Sequence, residues 1–350
     1  MKQSSGPSYQ GDLFEYAITH GFGDVHVRID PKTGMQAIIA IHSTKLGPAL
    51  GGCRFIEYDN PSAGIYDAMR LARGMSYKAA LVNLPLGGGK AVIIKPKGPF
   101  DRNAYFDAFA DFVHEQQGRY ITALDSGAEL SDMDRIGLRT PYVASLSKHG
   151  DPSPATAEGI FHGIEAAVRF QYGKQTLENL HVAIQGLGHV GYRLASLLHE
   201  QGVQLTVADT NQEAVLRAVE TFGATASSAA DIHKTPCDVY SPCALGAILN
   251  DNTIPELNTR VIAGAANNQL AHTYHGQQLH DKGILYAPDY VINAGGLIFA
   301  ASQYLHGQDT DYKDKLKHID DSLTTIFESA RKQNKPTSQI ADELALEKLK

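Results

Sequence analysis

The sequence predicts a two-domain α/β protein. An N-terminal α+β domain is expected over residues 1–148 and a doubly wound parallel-sheet domain over 149–319, with a helical tail, 320–350, packing back on the first or on a partner subunit. Three observations predict this. At 350 residues the chain exceeds one domain of ordinary size. The first half mixes alternating strands with helices, whereas in the second half strands and helices alternate regularly, the mark of a parallel sheet. Between the halves lies Ser147-Lys-His-Gly-Asp-Pro-Ser-Pro154, whose glycine and prolines break both periodicities.

In the first half, Asp12 to Thr19 reads as a short helix closed by Gly21. Val25, Val27 and Ile29 alternate as in a half-buried strand, and the Pro31–Gly34 turn leads to a second strand, Met35 to Ile41. Leu46-Gly-Pro-Ala-Leu-Gly-Gly-Cys53 reads as a segment that exposes backbone. A helix then starts with Asn60 as N-cap and Pro61 in the first turn, with Ile65, Ala68, Met69, Ala72 and Met75 on its apolar stripe. Lys78 sits in its last turns, where a cation also complements the helix dipole.

Leu84-Pro-Leu-Gly-Gly-Gly-Lys90 follows, then the strand-like run Ala91 to Ile94. The glycines let backbone approach a neighbour closely, and two ammonium groups brought together would lower a lysine pKa toward the range of a base. A glycine turn flanked by solvated lysines, or a phosphate loop, fits the same residues. An Asp101-capped helix carries Tyr105, Phe106, Phe109, Phe112 and Val113, and the strand Tyr120 to Leu124 delivers Asp125 at its C-terminal end. A carboxylate there suits either chemistry or a turn.

Beyond the linker come a helix from Thr156 to Phe170, the strand Leu180 to Gln185, and at once Gly186-Leu-Gly-His-Val-Gly191. The next strand, Val203 to Ala208, ends in Asp209. This is the dinucleotide fingerprint in its strand–turn–helix context: the glycines admit a pyrophosphate to backbone N–H groups, and the acid binds ribose hydroxyls while repelling a 2′-phosphate. NAD rather than NADP is therefore the expected cofactor, held by Gly186, Gly188, His189, Val190, Gly191 and Asp209. Cys243, Ala244, Asn268 and Asn293, near later strand ends, complete the expected contacts. The tail is helical, with Leu316, Ile319, Leu323, Ile326, Phe327 and Ala330 in one stripe.

Composition narrows the class. A net charge of −7 without a basic cluster argues against nucleic acid, and no run approaches the ~18 apolar residues of a membrane span. The polar Met1–Gln10 has no signal-like apolar core. Cys53, Cys237 and Cys243 make no C-x-x-C pair, which favours a reducing, cytoplasmic setting and no metal site.

Several of these stretches together resemble the leucine/phenylalanine/valine dehydrogenase branch of the amino-acid dehydrogenases. They are Leu46-Gly-Pro-Ala-Leu-Gly-Gly52, Arg73-Gly-Met-Ser-Tyr-Lys78, Leu86-Gly-Gly-Gly-Lys90, Gly118-Arg-Tyr-Ile-Thr-Ala123, Gly186-Leu-Gly-His-Val-Gly191, Pro242-Cys-Ala-Leu-Gly246 and Ala287-Pro-Asp-Tyr-Val-Ile-Asn-Ala-Gly-Gly296. The resemblance implies a substrate-binding and oligomerisation domain followed by a Rossmann-type NAD domain, with the cleft between them as the active site. It implies reversible oxidative deamination of an L-amino acid to its 2-oxo acid and ammonia, in a homo-oligomer.

Residue by residue, the resemblance makes Lys78, beside Gly51 and Gly52, the holder of the substrate carboxylate. Lys90 becomes the base that activates water, Asp125 the group exchanging protons with the amine, and Asn268 an orienting amide. Leu50, Ala123, Leu297 and Ala300 would form the side-chain pocket, favouring a branched aliphatic substrate, with phenylalanine as the alternative. The chain departs from the family's usual Thr-Ala-Glu-Asp: Leu124 precedes Asp125, removing a negative charge near Lys90, with Glu129 as its candidate replacement. That departure also motivates a non-catalytic NAD-binding alternative.

Overall fold

Short-range capping sets the first elements. In the computed structural model, which describes residues 11–307 and 312–350, the Asp12 carboxylate accepts the Phe14 amide at 2.8 Å and begins α1 (Leu13–Thr19). The signal-free decapeptide expected at the N-terminus lies outside the described residues. There follow β1 (Asp24–Asp30), β2 (Met35–Ser43), β3 (Ala49–Ile56), α2 (Pro61–Leu81), β4 (Gly87–Ile94), α3 (Arg102–His114), β5 (Tyr120–Leu124) and α4 (Leu130–Gly137). Asn60 caps α2 through Ala63 N–H at 2.9 Å and Asp101 caps α3, as the spacing predicts.

Among the described residues, these strands form a sheet in the order β1-β2-β4-β3-β5. Strands β1, β2 and β4 run antiparallel to one another in turn, while β4, β3 and β5 are parallel. One face packs Phe55, Phe106, Phe109 and Tyr120 with α3; the other packs Ile38, Met69 and Val92 with α2. Two expectations are corrected here. The glycine-rich segments at 46–53 and 84–90 are not loops or turns at their cores: Ala49–Ile56 and Gly87–Ile94 are buried central strands. Glycine is there because other parts of the chain, Gly89 beside Gly51 and Ser76 of α2 beside Gly88, lie too close for a Cβ, a demand that propensity reasoning does not see.

The second unit contains α5 (Ser153–Tyr172), β6 (His181–Gln185), α6 (His189–Glu200), β7 (Gln204–Ala208), α7 (Gln212–Phe222), β8 (Thr225–Ala226), β9 (Val239–Pro242) and β10 (Val261–Ile262). It continues with α8 (His275–Asp281), β11 (Leu285–Tyr286) and α9 (Asp289–Ile292), and α10 (Gly295–His306), α11 (Lys313–Gln333) and α12 (Thr337–Lys348) complete the helices. Its parallel sheet has the order β11-β10-β9-β6-β7-β8, the doubly wound arrangement, whose strand order reverses between β6 and β9.

Two compact units result. One holds the chain up to Asp151, the segment beginning at Ala300, and Ala345–Lys350; the other holds Pro152–Phe299 and the chain leading to Leu344. The tail thus divides differently from the expectation that 320–350 returns to the first domain. Helix α11 packs on α5 in the second unit, with Phe327 5.4 Å from Phe170 and Arg169 paired to Asp320 at 2.6 Å. Gly159 and Gly163 on α5 make room for Ile319 and Leu323. Only the last residues join the first unit, where Lys348 Nζ donates to Ala80 O and Asn83 Oδ1 at 3.1 and 2.6 Å.

Candidate active site

The first site is built on glycine. In the centre of the first sheet, Leu50 stands opposite Gly88, and Gly52 opposite Ala123. A Cβ on Gly51 would fall on the Gly89 carbonyl, and one on Gly88 would fall on the Ser76 backbone. Backbone contact therefore draws α2, β3 and β4 together. Ser76 is locked from behind: His42 Nδ1 lies 2.8 Å from its Oγ and His42 Nε2 3.1 Å from His20 O. Burial pushes the His42 imidazole down to about 4, so this brace is neutral and does not loosen above that pH. Lys78 and Lys90 each lie two residues beyond the Ser76–Gly88 contact, Lys78 half-buried on α2 and Lys90 7% exposed on β4.

At this wall Lys90 Nζ pairs with Asp125 Oδ2, so the nearest charged partner of Lys90 is a carboxylate. A Cβ on Gly52 would come within 2.7 Å of Asp125 Cβ, which shows how closely the end of β5 folds onto β3. Burial by itself would push the Asp125 carboxyl up, but the Lys90 ammonium and the Arg54 guanidinium hold it down at about 2, helped by the Ser126 N–H at 2.7 Å. A depressed carboxylate pKa stabilises the fold above its ordinary value of 3.8 and ceases to do so as pH falls through about 2. Acid unfolding followed by circular dichroism should accordingly lose one pH-dependent component between those values in Asp125→Asn.

Leu124 packs against the core cluster with Ala128 and Leu146. Its substitution for an acid therefore adds apolar packing on the core side. Glu129 does not replace the missing charge. It stands at the N-cap of α4, where its own N–H bonds Asp132 Oδ2 at 2.7 Å and its carboxylate lies 3.4 Å from Arg102. Leu50 and Ala123 are buried on adjacent strands, and Leu297 and Ala300 share one face of α10.

In the second unit, Gly186 adopts φ +105°, and a Cβ there would lie 2.8 Å from Ala244 and from the Cys243 carbonyl carbon. Only glycine fits both demands. Gly188 and His189 are exposed at the start of α6, with Val190 and Gly191 in its first turn, so α6 opens an accessible N-terminus. Asp209 Oδ2 accepts the Leu187 amide at 2.6 Å and Oδ1 the Asn211 amide at 2.8 Å, tying the end of β7 to the glycine turn. Cys243 and Ala244 follow β9 directly, and the Cys243 N–H bonds Gln185 O at 2.7 Å, placing both at the reversal of strand order. Burial pushes the Cys243 thiol up, which suits a packing role. Asn293 Nδ2 braces the loop after β10 through Ala265 O at 3.1 Å and Asn267 Oδ1 at 2.8 Å. Asn268 is exposed, in the left-handed region at φ +53°.

Sequence reasoning missed Arg54 and Asp67. Asp67 has no exposed surface, and its Oδ2 binds Arg54 Nη1 at 2.9 Å and Tyr58 at 2.7 Å, while its Oδ1 binds Arg70 at 2.9 Å. The signal was a lone arginine inside the apolar run Cys53-Arg-Phe-Ile56, facing an aspartate on the buried stripe of α2.

Two family models match the chain, one in each half. The Glu/Leu/Phe/Val dehydrogenase dimerisation-domain model matches residues 22–140, and the Glutamate/Leucine/Phenylalanine/Valine dehydrogenase model matches residues 204–350. The chain is 47% identical to leucine dehydrogenase from Geobacillus stearothermophilus over 343 residues, covering 97% of this chain and 93% of that protein. It is 46% identical to L-tryptophan dehydrogenase from Nostoc punctiforme over 341 residues, with 96% of each covered. A crystal structure of L-tryptophan dehydrogenase from Nostoc punctiforme superposes with a TM-score of 0.88 at 42% identity, over 96% of this chain and 98% of that one. The chain therefore belongs to the glutamate/leucine/phenylalanine/valine dehydrogenase family of NAD(P)-dependent amino-acid dehydrogenases.

Proposed function

We propose that this protein is an NAD-dependent dehydrogenase that reversibly deaminates a branched-chain L-amino acid (leucine, valine or isoleucine) to its 2-oxo acid and ammonia. The observation that carries this is the buried Lys90–Asp125 pair on a wall of glycine backbone. NAD, when bound, supplies the acceptor for the hydride leaving the substrate Cα. Lys78, with the Gly51–Gly52 backbone, holds the substrate carboxylate. Lys90 takes a proton from the water that attacks the iminium carbon, and Asp125 exchanges protons with the amino group and Lys90. Asn268 orients the substrate, and Leu50, Ala123, Leu297 and Ala300 bound its side chain.

The second unit suits the cofactor: a glycine turn in positive φ, an accessible α6 N-terminus, and an acid beyond β7. Gly186, Gly188, His189, Val190 and Gly191 would hold the pyrophosphate, Asp209 the ribose, and Cys243, Ala244, Asn268 and Asn293 the nicotinamide end. Asp209→Ser should raise the KM for NAD about tenfold and narrow discrimination against NADP, because a charged acceptor is lost. Equal use of both cofactors by the unmodified protein would overturn the NAD assignment.

A second reading, an aromatic substrate, is favoured by the similarity to a tryptophan dehydrogenase and by Leu297 with the small Ala300. Each methylene in such a pocket changes discrimination by about 1–3 kcal/mol, so relative kcat/KM decides between them. The test is NADH formation with L-Leu, L-Val, L-Ile, L-Phe and L-Trp at alkaline pH; NAD binding without turnover of any of them would sink the enzyme reading. The description of the first matched model as a dimerisation domain supports a homo-oligomer built through that domain. Three free thiols fit a reducing cytoplasm, and no helix among the described residues is long and apolar enough to cross a membrane.

A further inference from the structure

Asp125 is approached by two cations, and only one is in contact with it. Lys90, from β4, pairs with Oδ2. Arg54, from β3, brings Nε to 3.7 Å from the same oxygen, beyond hydrogen-bond reach, and that buried N–H has no other partner. Nor can the guanidinium swing aside to find one. Its Nη1 is held at 2.9 Å by Asp67, which Tyr58 and Arg70 fix in turn. A buried donor left unbonded is costly, so this one calls for an explanation.

We propose that Arg54 is a positioning residue for Asp125: its Nε–H takes up Asp125 Oδ2 whenever Lys90 is neutral, keeping the carboxylate ionised. The proposal rests on the reading of Lys90 as base and Asp125 as its proton partner. When Lys90 gives up its proton, Asp125 loses the ammonium while its burial still favours the acid form. Without a second cation the proton would lodge on Asp125. A guanidinium does not deprotonate, so Arg54 supplies a charge that the proton transfers cannot remove.

The other groups facing Asp125 do not supply that charge. The Cys53 thiol, also on β3, is pushed up to about 12 by burial and is neutral. Ser126 offers its N–H at 2.7 Å and its hydroxyl at 3.3 Å, both to Oδ1, both uncharged and from the same loop. Asp132 on α4 is engaged by Arg102 at 2.6 Å. Behind Arg54 stand Asp67, Arg70 and Tyr58, and burial keeps the Tyr58 phenol protonated.

The test is the pH profile of kcat/KM in the full-length protein, with the best of the five amino acids above, for Arg54→Met and Arg54→Lys. Removing a cation raises the proton affinity of both Lys90 and Asp125. The acidic limb should therefore move up by ~1 pH unit in Arg54→Met, with the alkaline plateau kept. Arg54→Lys, which keeps the charge, should leave the limb near its original place. If Arg54→Met does not fold because Asp67 is stranded, Arg54→Met with Asp67→Asn removes that carboxylate too and should shift the limb in the same direction by less, since the lost cation is the nearer of the two charges to Asp125. An unmoved limb, or an equal loss of activity at every pH, overturns the proposal. Full turnover in Lys90→Ala would instead overturn the reading beneath it, so the two failures are distinguishable.

Discussion

Lys90→Ala should lower kcat by roughly 10²–10⁴-fold, the range for loss of a positioned general base, while NAD binding measured by fluorescence titration is unchanged. The residue is 7% exposed, on a central strand. Of the charges around it, Lys90 is the strongest that holds Asp125 ionised, so the variant should also carry a protonated Asp125 at higher pH. A wild-type kcat in Lys90→Ala would remove Lys90 from the chemistry altogether. A raised KM with an unchanged kcat would move it to substrate binding instead.

Gly51→Ala should be the most damaging single methyl in the first unit. The new Cβ would overlap the Gly89 carbonyl oxygen, which belongs to a neighbouring central strand and cannot rotate away. The strands must separate, at a cost of about 3 kcal/mol or more, the upper part of the range for overpacked interiors. Thermal melting shows the difference directly. Gly23→Ala, where nothing lies within 4 Å of the new Cβ, serves as the control and should melt with the parent. Equal melting of all three proteins would mean that β3 and β4 tolerate a separation that this packing forbids.

The parallel sheet was legible because its strands are short apolar runs closed by glycines and an acid at fingerprint spacing, and the structure places Gly186 at the strand-order reversal. Helix starts at Asp12, Asn60 and Asp101 were legible because each cap is a local side chain to backbone bond. The strand character of Gly87–Lys90 was hidden, since glycine weakens every local strand signal while serving a contact made by a distant residue, Ser76. The same distance hid Arg54 and Asp67, thirteen residues apart and joined only by folding. The tail was misplaced because its apolar stripe fits any apolar face. What selects α5 is the pair of small residues Gly159 and Gly163, a shape match rather than a hydrophobic one.

Lys90, Asp125, Arg54, Asp67 and Arg70 form a row of alternating sign that starts 9% exposed at the Lys90 side chain and passes through Asp67 at 0%. Counter-ions reach surface pairs such as Lys317–Asp314, where both side chains are at least 70% exposed, and weaken them within a Debye length of ~8 Å at physiological ionic strength. They have no comparable access to the inner members of the row. The Asp125 carboxylate is therefore screened less by the salt around the molecule than a surface carboxylate is, and its counter-charges are those the first unit itself supplies.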